Sequence, residues 1–167
     1  MEDQTIKALL YAFDECFDGE GKVGGIFLES DDPGLFFMLD ALAVEEASSL
    51  IAGMSIANHV YHLLFALDVF IKRANGDKNV LNVDWSASWK EQPLNEAEWV
   101  RMKKELACLR EEAASVARDY IAYQGGCDMH LRLVMGLLSH TVFHLGIIRV
   151  KFDELKGSGY MLAMRGG

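Results

Sequence analysis

Only two prolines, Pro33 and Pro93, interrupt the 167 residues of this chain. A proline inside a helix removes a backbone donor and clashes with the preceding turn, so their scarcity leaves long stretches open to continuous helix. No window shows the period-2 alternation of β-branched and polar residues, bounded by hairpin turns, that strands require. Apolar residues recur three and four apart instead. Ile6, Leu9, Leu10, Phe13 and Phe17 form one such stripe, which predicts a first helix over about 5–17 that stops at Asp18-Gly19-Glu20-Gly21. The chain therefore reads as all-α.

The remaining helices follow from their punctuation. Glycines at 19, 21, 24, 25 and 34 mark a loop, followed by a short extra helix near 34–42 and one or two further turns in AVEEASSLIAG. A second long helix is capped by Ser55 and stopped by Asn75-Gly76, with Lys72 and Arg73 suiting the negative end of its dipole. A third opens after Pro93-Leu94 with Asn95 as cap, carries Glu96 and Glu98 in its first turn, and ends near Tyr123 before Gln124-Gly125-Gly126. The fourth runs over about 128–156 and is closed by Gly157-Ser158-Gly159. Four long helices in a chain of one-domain size, 1–167, predict a four-helix bundle. About 18 residues separate the second and third. Extended, these would reach nearly 60 Å, against roughly 33 Å for a helix of that class, which leaves room for a full-length crossover.

Composition narrows the partners. A net charge of −9 provides no basic footprint for nucleic acid or for anionic lipid. The N-terminus begins with acids, and no uninterrupted apolar run reaches a membrane-spanning length, so a soluble, cytoplasmic protein is expected. Cys16, Cys108 and Cys127 are odd in number and widely spaced, which predicts reduced thiols.

The chemistry-bearing residues are histidines. His140 and His144, four apart in SHTVFHLGIIRV, project from one face of a helix. His59 and His62, three apart in HVYHLLFAL, share nearly one face of another, with His62 in the more inward-facing setting and His59 nearer the rim. One histidine from the second helix and two from the fourth would close a three-nitrogen metal site with an open position. The plainer reading gives each ring its own packing and hydrogen-bond partner. His130 falls on the same stripe as His140 but lies about 15 Å below it, too far to bind the same ion.

SIANHVYHL, HTVFHLGIIR and, between them, DWSASW resemble the DinB/YfiT-like superfamily of four-helix bundles. The resemblance covers about residues 55–156, more weakly the first helix. It implies an up-down-down-up bundle using the long crossover, and a metal triad of His62, His140 and His144. It also implies a divalent ion such as zinc, nickel or manganese, and a homodimer. The extra His59 and the glycine-rich insertion with its short helix depart from the simplest pattern. Characterised relatives include bacillithiol- and mycothiol-dependent transferases and isomerases, so the expected activity is metal-dependent transfer of a low-molecular-weight thiol. The alternative is a non-catalytic, stress-related metal- or ligand-binding bundle. No Ser-His-Asp order, phosphate-cradling loop or H-E-x-x-H motif suggests another reaction, and no general base accompanies the histidines, since Asp68 points away from the His62 face. Trp85 and Trp89 are candidates to line a pocket mouth, with Ser86 and Ser88 offering hydroxyls; the plainer role is to pin the crossover. Arg149 is read as a salt-bridge former, and Tyr61 and Phe143 as core or interface residues.

Overall fold

Ser55 shows how local chemistry sets the frame of this molecule. In the computed structural model its hydroxyl accepts from the Asn58 N–H at 3.1 Å, while the Asn58 amide oxygen accepts from the Ser55 N–H at 3.0 Å, a reciprocal cap that starts a helix at Ile56. The structure describes residues 4–19, 25–29, 32–89, 94–123 and 128–157, the side chains of 120–123 and 128 excepted. Pro93, the Gln124-Gly125-Gly126 stop, Cys127 and Ser158-Gly159 lie outside the described residues.

Among the described residues the chain is all-helical, with six α-helices and no strand: α1 Gln4–Asp18, α2 Leu35–Asp40, α3 Val44–Ser48, α4 Ile56–Ala74, α5 Glu96–Tyr123 and α6 Asp128–Lys156. The connection between α4 and α5 holds two 3-10 segments, Lys78–Asn82 and Trp85–Trp89. Asn95 caps α5 as expected, accepting from the Glu98 N–H at 3.0 Å and donating its own N–H to the Glu98 carboxylate at 2.9 Å. Gly76, at φ 82°, follows α4 in the left-handed region that ends helices.

The long helices meet through one apolar interior. α4 packs on α5 and α6, and α1 packs on α2, α5 and α6. Trp99, Phe17, Phe152, Leu63, Leu67, Leu106 and Ile148 are fully buried where these faces converge. Trp99 also donates its indole N–H to the Leu42 carbonyl at 3.3 Å, tying the start of α5 to the short helices. α4 and α6 run antiparallel: His59 meets His144, and His62, one turn on, meets His140.

Two buried charges fasten the ends of this frame. Glu15, 2% exposed, accepts the N–H groups of Ile26 and Phe27 at 2.9 Å and of Leu28 at 2.7 Å, pinning the loop after α1. Lys151 on α6 donates to the carbonyls of Ile51 and Met54, the turn that leads into Ser55 and so sets where α4 begins. Arg149, read as a salt-bridge former, meets Asp32 at 2.7 Å and the Pro33 carbonyl at 3.1 Å. The polar run on α5 is not a wholly solvated face, because Arg110 is buried among Asp14, Asp18 and Glu111.

One expectation needs refinement. Arg132, His140, His144 and Arg149 interrupt the apolar run of α6, yet Met129–Lys156 is long and apolar enough to cross a membrane by length and composition, a test that core helices of soluble proteins also pass.

Candidate metal centre

Because α4 and α6 are antiparallel, the i,i+3 pair of one helix faces the i,i+4 pair of the other. Four imidazoles converge: His59 and His62 from α4, His140 and His144 from α6. His62, His140 and His144 each offer a ring nitrogen, and these atoms lie within 4.8 Å of one another. No carboxylate or thiolate joins this group among the described residues.

Hydrogen-bond accounting fixes the tautomer of His62. Ser88 has a single hydroxyl proton and donates it to the Trp85 carbonyl at 2.6 Å. The 2.6 Å contact between Ser88 Oγ and His62 Nδ1 must then be one in which Nδ1–H donates to the oxygen. His62 Nε2 is left as a bare lone pair, and it sits 3.0 Å from His140 Nε2. Two nitrogens bound at about 2.0–2.1 Å to one tetrahedral ion stand about 3.3 Å apart, so this spacing fits a shared cation. The donor set fits as well, since neutral imidazole nitrogen is a favoured ligand of borderline divalent ions.

His59 has a different place from the one its sequence setting suggested. It is not near the rim but 4% exposed, with its Nδ1 3.1 Å from His144 Nδ1. That contact leaves His144 Nε2 for an ion and makes His59 the partner that fixes the His144 ring. Trp89 completes the enclosure. Its ring stacks on His62 at 3.9 Å and 14°, and stands edge-on to His59 at 5.6 Å.

Burial keeps the cluster neutral. Desolvation is the largest cause for every ring, because an imidazolium would lose its water. It holds His62 down to about 4, with added repulsion from His140 and His59, and His144 down to about 3, with repulsion from His140, His62 and His59. His59 is held down to about 4, with Lys151 as the lesser cause, and His140 is lowered in the same direction. Neutral rings are the protonation state that binds metal.

In comparisons with known proteins, no family profile matches the chain, and no curated protein or solved structure matches it. Site chemistry must therefore be read from these residues.

The other sequence candidates divide clearly. His130 lies apart from the cluster. Asp68 pairs with Lys72 at 2.6 Å, away from the histidines. Phe143 is not core: it is 62% exposed and edge-on to His144 at 5.1 Å. Ser86 caps a local turn by bonding Asp84, whereas Ser88 is fully buried against His62. That Ser88 orients a histidine was missed in the sequence. The only signal was a serine between two tryptophans in a connection long enough to fold back.

Proposed function

We propose that this chain is a divalent-metal protein of the four-helix-bundle, DinB-like type, with helices arranged up-down-down-up and His62, His140 and His144 as ligands. The observation that carries the reading is the lone pair of His62 Nε2, oriented by Ser88, at 3.0 Å from His140 Nε2. Zinc, nickel and manganese are the ions this reading admits. A divalent ion held by three neutral imidazoles keeps its full charge, and when bound it supplies Lewis acidity that makes a thiol or water a nucleophile at neutral pH.

The chain's own residues do the rest. Ser88 and His59 hold the rings of His62 and His144 in orientation, and Trp89 excludes water from one side. The absence of a carboxylate from the cluster favours a reaction that needs no protein base, such as transfer of a low-molecular-weight thiol to an electrophilic carbon. There the S–H proton passes to solvent and the leaving group departs with its electron pair. The same absence supports a second reading, a metal- or ligand-binding bundle without catalysis.

A homodimer in the cytoplasm completes the proposal. α6 supports it with an outward stripe of Ser139, Phe143, Gly146 and Val150, at alternating four- and three-residue spacing and all exposed. The test is tag-free purification followed by elemental mass spectrometry, beside a His62→Ala, His140→Ala, His144→Ala variant. Close to one divalent ion per chain, absent from the variant, is the expected result. A folded wild-type protein that carries no ion and takes none up on titration would overturn the metal reading.

A further inference from the structure

Next to His140 the surface between α4 and α6 opens into a cavity of about 250 Å³. Ala66, Val69 and Phe70 form one wall and Leu133, Gly136 and Leu137 the other, with His140 and Trp85 at one end. Arg73 and Arg132 also line it. Since α4 and α6 are antiparallel, the last turn of α4 lies beside the first turns of α6, so both guanidinium groups come to the end remote from the histidines. Beyond them the trough continues into a second hollow bounded by Arg73, Arg132, Leu81 and Met129.

Gly136 forms part of the wall of this cavity. A Cβ at this position would meet nothing within 4 Å, so no neighbour requires glycine there. A mid-helix glycine is costly in conformational entropy, and here its missing side chain leaves the trough open.

We propose that this trough binds an elongated amphipathic anion, a medium-chain carboxylate, with its charged group between Arg73 and Arg132 and its apolar body running toward His140. Charge and shape both specify this class. In a chain with net charge −9, two arginines line an otherwise largely apolar trough, and guanidinium groups match carboxylate geometry. Eight residues separate Arg132 from His140, about 12 Å of helix. At roughly 1.3 Å of projected length per C–C bond of about 1.5 Å, that distance accommodates a chain of about nine or ten carbons. Only the chemistry at the His140 end rests on the metal reading, where the far end of the ligand would meet the ion's open side.

Decanoate is the probe, decan-1-ol its uncharged counterpart, and calorimetric titration the measurement. Wild-type protein is expected to bind decanoate with or without prior treatment with a chelator, and to bind decanol at least about 10-fold more weakly. Gly136→Phe, which fills the trough without entering the core, is expected to abolish binding. An Arg73→Gln, Arg132→Gln double variant is expected to weaken it about 10-fold or more while leaving metal content unchanged. Circular dichroism establishes that each variant is folded, and the two arginine side chains are exposed enough that their loss spares the core. Undiminished decanoate binding by either variant, or none by folded wild-type protein, would overturn the proposal. Metal-loaded protein that ignores decanoate removes the trough assignment alone, whereas folded protein that takes up no divalent ion on titration yet binds decanoate removes the metal reading alone.

Discussion

Two buried polar clusters in this molecule solve the same problem in opposite ways. Glu15 is buried with its carboxylate surrounded by three backbone N–H groups, so its charge is matched by donors the chain itself supplies. His59, His62 and His144 are buried and His140 half-buried, with nitrogen facing nitrogen at 3.0 Å and 3.1 Å. A neutral imidazole has one donor and one acceptor, so the His59–His144 contact orients one ring by the other, while the His62 Nε2 lone pair, set by Ser88, is directed to the side where a cation would sit. The first cluster is closed by its own backbone and the second is left open to something else. That contrast separates a structural anchor from a site.

The sharpest way to break the comparison is to remove the anchor. Glu15→Ala strands the buried Leu28 N–H and removes the acceptor of the part-buried Ile26 and Phe27 N–H groups, and at about 1–3 kcal/mol for a buried unsatisfied donor the expected destabilisation is about 2 kcal/mol by denaturant unfolding. Metal uptake by the fraction that remains folded should be unchanged. A destabilisation below about 1 kcal/mol would mean that the loop finds other acceptors, and the two clusters would then not differ in the way described.

A smaller effect tests the open cluster. Ser88→Ala removes the acceptor that fixes His62 Nδ1–H, and loss of such an orienting partner costs about 10-fold or more in metal affinity. Nitrogen-15 spectra of the apoprotein supply a readout that packing alone would not move: His62 should carry its proton on Nδ1 in the wild type and lose that preference in the variant. A wild-type His62 protonated on Nε2 would sink the tautomer assignment, because its lone pair would then face Ser88 rather than His140.

The same contrast explains which parts of the molecule were legible in the sequence. Helix punctuation is local chemistry, so the Ser55 and Asn95 caps, the Asn75-Gly76 stop and the short extra helices could be read directly. Spacing on one helix is local too, which made His140 with His144 and His59 with His62 readable as pairs. Their meeting depends on the direction and register of α4 against α6, which no single helix encodes. His59 was misplaced at the rim for that reason: its burial comes from His144 and Trp89, distant in sequence. Ser88 was invisible as an orienting group because its role requires the 3-10 segment to fold back onto α4. Glu15, one acid among 25, has no sequence signal distinguishing it from a solvated carboxylate until the loop closes over it.

Glycine provides the finest test, because one chemical change should have opposite signs in the two regions. At Gly25 a Cβ would fall on the Leu28 carbonyl and lie 2.8 Å from Glu15 Oε1, so the loop can wrap the carboxylate only without a side chain there. At Gly136, one turn before His140, a Cβ meets nothing within 4 Å. Gly25→Ala should therefore destabilise, by roughly 1–3 kcal/mol for an overpacked site. Gly136→Ala should stabilise by about 0.5–1 kcal/mol, through the lower backbone entropy of the unfolded chain. Paired thermal melts give the two signs directly. Stabilisation at Gly136 with metal affinity intact would show that the helix gives up stability there to keep the trough open. Destabilisation would instead reveal a neighbour against that face of α6, the covering expected of a second copy.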